Sequence, residues 1–93
     1  MRTIKPTSQF KRDYKRESKG KHRATLEHDF TKVVTALSND KPLSPQHRDH
    51  ALSNNWKDHR DCHIKPDLIL IYKKTDTKSL ELIRLGSHSE LSL

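Results

Sequence analysis

At 93 residues the chain has room for one domain with a thin core. Apolar side chains make up 30% and charged ones 33%, with 19 Lys and Arg against 12 acids, a net charge of +7 and seven further histidines. Nothing approaches the ~20 apolar residues of a membrane span. No hydrophobic signal region follows Met1-Arg2, and a single cysteine cannot pair within the chain. A protein of the reducing cytoplasm is therefore expected, without membrane insertion. The charge suits nucleic acid, an acidic protein or an anionic surface.

Arg2-Thr3-Ile4-Lys5 alternates and is stopped by Pro6, which predicts a short first strand. Thr7 or Ser8 can cap a helix running from about Ser8 to Lys19. Phe10 and Tyr14, one turn apart, mark its buried side. Lys11, Arg12, Lys15, Arg16 and Lys19 form a basic face that suits phosphates, a partner or plain solvent. Gly20 predicts a helix C-cap. Leu26, Phe30, Val33, Val34 and Leu37 then recur at helical spacing, a core stripe on a second helix from about His22 to Ser38. His22 and His28 have no visible partner and are expected at the surface. Two helices broken by one glycine predict a helical hairpin lying on a sheet.

Asn39 to Asn55, with Pro42 and Pro45, reads as a loop, and loops of this length in small domains are usually functional or loosely ordered. It carries Asp49-His50 and leads to Trp56, whose residue type suits a core anchor better than a base-stacking platform. Three strands follow: Lys57 to His63, Leu68 to Lys74 (central, buried on both faces) and Ser79 to Leu85. Thr75-Asp76-Thr77-Lys78 makes the hairpin turn between the last two. The whole chain, residues 1–93, is expected to be one α+β domain: two N-terminal helices on a small antiparallel four-stranded sheet, in the order β-α-α-β-β-β.

That pattern gathers chemistry. His63 ends one strand, Asp67 precedes the next, and Gly86-Ser87-His88 returns antiparallel to the same sheet end; the loop bearing His50 can reach it too. Cleaving RNA needs a base for the 2′-hydroxyl, an acid for the departing 5′-oxygen and positive charge on the phosphorane. Histidine serves both proton roles near neutral pH, and aspartate can act as base or orient a histidine. Arg84, Arg60, Lys57 and Lys65 are the candidate phosphate contacts. Strand alternation sets His59, Asp61 and His63 on one face and Arg60 and Cys62 on the other, which makes Arg60 the more doubtful arginine. His47-x2-His50 with His59-x2-Cys62 has a four-ligand zinc spacing, but His59 and Cys62 fall on opposite faces and the tight turns of zinc ribbons are missing. No metal and no cofactor are expected.

Pro42-Leu43, Asp49-His50-Ala51-Leu52, Trp56-Lys57, Arg60-Asp61-Cys62-His63-Ile64-Lys65-Pro66-Asp67, Leu70-Ile71-Tyr72 and Arg84-x-Gly86-Ser87-His88 occur here in one order and spacing. Together they resemble the YafQ branch of the RelE/ParE superfamily of type II toxins. The resemblance implies a ribosome-dependent mRNA endonuclease that cuts A-site codons without metal, with His50, His63, Asp67 and His88 as its active site. It implies His88 as general acid, Asp67 as leading base, and His50 and His63 as phosphate-positioning groups. It also implies a small acidic antitoxin with a ribbon-helix-helix DNA-binding half. Two positions depart from the family: Leu68 stands where some relatives carry tryptophan, and Ser92 where an aromatic is common. If that ring stacks on a base, its loss would slow cleavage or change codon preference. The alternative class is a non-catalytic module, ParE-like or nucleic-acid-binding, which has no need to gather His50, His63, Asp67 and His88.

Overall fold

The computed structural model describes residues 1–93. Strand β1 (Thr3–Pro6) leads into helices α1 (Ser8–Glu17) and α2 (Leu26–Ser38). Strands β2 (His50–Ala51), β3 (Arg60–Lys65), β4 (Leu68–Lys73) and β5 (Ser79–Gly86) follow, with 3-10 turns at Pro45–His47 and Asn54–Trp56. All five strands form one sheet in the order β1-β5-β4-β3-β2. Two helices on one sheet is the expected α+β architecture, with two differences. The sheet is mixed, because β1 lies parallel to β5. The helical pair separates β1 from every other strand, so no hairpin forces an antiparallel partner on it. The fifth strand, β2, is only two residues inside the predicted loop, too short to leave a periodic pattern.

Thr7 caps α1 as its chemistry requires, its hydroxyl accepting the Phe10 N–H at 3.0 Å. The helix stops at Glu17, and Gly20 is not left-handed; it sits in a turn with its N–H on the Glu17 carbonyl at 3.0 Å. The start of α2 also moves inward, from the predicted His22 to Leu26. Thr25 makes no side-chain cap, and its hydroxyl accepts from Lys65 Nζ at 2.7 Å.

The stripe of α2 packs with Phe10 onto one sheet face, against Leu68, Leu70 and Tyr72 of β4 and their neighbours. Phe10, Tyr14 and Phe30 form an aromatic knot there, ring centroids 5.0–6.0 Å apart. The opposite face carries Ile69 and Ile71, covered by Leu91 from the C-terminal tail with Leu52, Trp56 and Ile83. Strand β4 is thus buried on both sides, which is why it reads as an unbroken apolar run. No helix is long and apolar enough to cross a membrane.

Candidate active site

The second sheet face is covered not by helices but by short segments, residues 50–56 and the C-terminal tail, and they leave an opening between them. A groove of about 490 Å³ lies between residues 50–56 and the tail, lined by His50, Trp56, Asp61, His88 and Ser92 among others. Strand alternation puts Asp61 and His63 on this face and Cys62 and Ile64 in the helix-side core. The backbone of β2 delivers His50, which pairs across the ladder with Asp61. A tight turn after β5 delivers His88: Glu90 accepts the Ser87 N–H at 2.9 Å and pairs with Arg16 at 3.4 Å. Gly86 leaves room here: a Cβ on it would lie 3.2 Å from the side-chain ends of both Arg16 and Glu90, which would have to give by a few tenths of an ångström.

Asp61 is the centre of the arrangement. It is 3% exposed, and its Oδ1 lies 3.0 Å from His50 Nδ1. That contact is not a hydrogen bond, because the His50 Nδ1–H is aimed at the Arg48 carbonyl, 2.7 Å away. Asp61 Oδ1 is left as a buried oxygen without a hydrogen-bond donor. Burial raises the Asp61 pKa; the charges of His50, His63 and His88 pull the other way and only partly offset it. With Nδ1 committed, His50 presents Nε2 as its free lone pair when neutral, and its side chain is 54% exposed. Sequence reasoning passed over Asp61 as a site residue. The signal was its face, shared with His63.

His63 is 8% exposed, with its ring centroid 5.4 Å from that of His88 at 60°. Its Nδ1 lies 3.3 Å from the Pro66 carbonyl. Asp67 is placed differently from these three histidines. Its carboxylate is held by Lys21 and by His22 Nε2 at 2.8 Å, tying the β3–β4 turn to the α1–α2 connection. The hydrogen bond from Lys21 leads in lowering its pKa, against some desolvation, with His22 adding to it. His22, expected to be a surface residue without a partner, therefore has one 45 residues away.

None of the four predicted phosphate contacts lines the groove. Arg84 reaches back to α1, where its Nε donates to Asp13 at 2.7 Å. Arg60 is on the helix side of β3 and meets Asp49 and the Tyr72 hydroxyl, each at 3.3 Å. Lys65 pairs with Asp29 on α2. Lys57 falls outside β3, in the loop that precedes it. The four zinc-spaced residues do not converge either: Cys62 is fully buried in the helix-side core, its thiol pKa raised by burial. Leu68 is buried in the same core and away from the groove, whereas Ser92 lines it with a left-handed φ of 58°. Trp56 is both anchor and wall, packing on Ile69, Ile71 and Leu91 while lining the groove.

Residues 2–93 match the family described as the bacterial toxin of type II toxin–antitoxin system, YafQ. The mRNA interferase toxin YafQ of Escherichia coli (strain B/BL21-DE3) is 38% identical over 90 residues, covering 97% of this chain and 95% of that protein. The chain is similar to YafQ in the crystal structure of the E. coli DinJ–YafQ complex, with a TM-score of 0.82 at 39% identity over 98% of each chain. It is also similar to a copper-bound mutant toxin from Helicobacter pylori, with a TM-score of 0.84 at 38% identity over 98% and 99% of the two chains.

Proposed function

The chain belongs to the YafQ family of bacterial toxins of type II toxin–antitoxin systems, and from that premise we propose that it is an endoribonuclease acting on mRNA. It cuts within codons in the A site of translating ribosomes in the cytoplasm, by acid–base catalysis from its own side chains. One arrangement carries this reading: His50 and His88, from the two segments that line one groove, with buried Asp61 lining it beside His50.

The chemistry divides as follows. His88 is the general acid that protonates the departing 5′-oxygen. A base on the opposite side takes the 2′-hydroxyl proton, and the freed oxygen attacks the adjacent phosphorus. His50 offers Nε2 for that step. Asp67 is the second candidate base, ionised at neutral pH and available to substrate once Lys21 and His22 release it. His63, beside His88, stabilises charge on the phosphorane in its protonated form. Arg84, Arg60 and Lys65 hold the scaffold through carboxylates, and exposed Lys57, next in the chain to the groove-lining Trp56, is left for the flanking phosphates.

The partner that silences such an enzyme is a small acidic antitoxin with a ribbon-helix-helix half, which binds DNA on behalf of the pair. DinJ stands in that complex with the related YafQ. Exposed Lys11, Lys15 and Lys19 on and just beyond α1 suit an acidic chain that folds on binding. The deciding experiment maps mRNA 5′ ends after induction of the wild-type chain and of His88→Ala in cells without antitoxin. New ends within translated codons, absent from the variant, are expected. Identical profiles from two folded, expressed proteins would leave a non-catalytic binder.

A further inference from the structure

We propose that His47, which lies outside the groove, is a positioning residue that sets the aim of the His63 ring. The proposal rests on the reading of His63 as part of the cleavage machinery.

The observation is a hydrogen bond at an unfinished sheet edge. Strand β2 covers β3 only opposite Asp61 and Arg60. Two residues further along, the His63 carbonyl has no strand beside it, and a part-buried carbonyl without a donor is costly. His47 supplies the donor: its Nδ1 lies 2.7 Å from the His63 oxygen. An imidazole takes the place of the next strand's N–H.

The inner side of His63 is also irregular. Pairing with β4 runs His63 to Ile69 and then Lys65 to Leu68, so Ile64 is the extra residue of a bulge. Bulges re-aim neighbouring side chains, so the His63 backbone has freedom that a regular ladder would remove. The ring itself makes one hydrogen bond, a long one, 3.3 Å from Nδ1 to the Pro66 carbonyl. Its approach to His88 therefore depends on where the His63 backbone is held, and His47 holds it.

His47 is itself well placed to do so. It ends the 3-10 turn Pro45–His47, with its own N–H on the Ser44 carbonyl at 2.9 Å. Arg48 follows in the left-handed region at φ 46° and swings the chain back so that His50 meets β3 opposite Asp61. One turn thus sends His47 behind the sheet edge and His50 into the groove. Any slip of the turn moves two site histidines together.

Asparagine places an N–H donor near the position of Nδ1; alanine removes it; glutamine displaces it by one carbon. His47→Ala is expected to lower kcat about 10- to 100-fold on mRNA-programmed ribosomes, KM unchanged, with an altered pH profile, and His47→Asn to restore both. Imidazole NMR of the full chain is read in parallel: His63 and His88 signals should move in His47→Ala and return in His47→Asn. Wild-type kcat and unmoved His63 signals in His47→Ala would overturn the proposal, as would a folded His47→Asn that behaves like alanine. If the alanine variant fails to fold, His47→Asn and His47→Gln decide: different His63 signals support the role, and identical ones refute it. Should the wild-type chain cut nothing, the proposed activity fails while the NMR comparison still judges His47.

Discussion

Burying the Asp61 carboxylate beside three histidines works against folding and for the groove. Its pKa is raised, so the folded chain holds this proton more tightly than the unfolded chain does. The stability it contributes is present below the usual carboxylate value and is lost as pH rises through the folded value. At neutral pH the ionised group is therefore a burden, and an uncharged amide of the same size should lighten it. Asp61→Asn is expected to raise the urea midpoint at pH 7 while slowing cleavage at least about 10-fold, since it removes the charge behind His50 and His88. A lower midpoint would mean that the Asp61 carboxylate accepts a hydrogen bond in solution.

Among the elements, α1 is locked to β5 by one buried residue. Asp13, 1% exposed, accepts from Arg84 at 2.7 Å and from the Leu85 N–H at 3.0 Å, with Arg16 beside it at 3.2 Å. Desolvation opposes its charge, yet the Arg84 and Leu85 hydrogen bonds and the two guanidiniums outweigh it and lower the pKa. Removing the acceptor strands a backbone N–H and a half-buried guanidinium together, so Asp13→Ala should cost about 3 kcal/mol in urea unfolding. A loss below about 1 kcal/mol would show that water replaces the carboxylate. A second lock holds the site loop. The Tyr72 hydroxyl donates to Asp49, which Arg60 also reaches at 3.3 Å, so the residue before His50 is tied to the sheet. Burial, and then the bond to Asp49, raises the Tyr72 pKa, so the phenol stays a donor.

Across the whole molecule, Asp40 joins three parts of the chain: Lys74 and Arg2 each meet it at 2.8 Å, just past the end of α2. Those hydrogen bonds lower its pKa to about 2. A lowered carboxylate contributes stability above its unfolded value and loses it as pH falls through the folded one. Asp40→Asn should therefore unfold at lower urea than wild type between about pH 5 and 7, and the difference should shrink as pH falls through about 2, the folded value, and vanish only below it. A gap undiminished at pH 2 would trace to something other than charge. Asp61 titrates with the opposite sign, so acid removes one contribution while relieving the other.

Much of this molecule is written in local pattern. The apolar period of Leu26 to Leu37 places α2, Thr7 starts α1, and the unbroken run Leu68 to Tyr72 is a strand covered on both faces. Alternation along β3 by itself separates Asp61 and His63 from Cys62. These features are legible because each depends on neighbours within a turn or two. What stayed hidden depends on partners far along the chain. Arg84 meets Asp13 across 71 residues and His22 meets Asp67 across 45, so a candidate phosphate contact and a candidate base each have a partner that local spacing does not show. The two-residue β2, the parallel β1–β5 pair and the unpaired Asp61 oxygen were likewise decided only by packing. Residue type and spacing determined which groups could do chemistry. The free energy of pairing charges and covering an irregular sheet edge determined which of them face the groove.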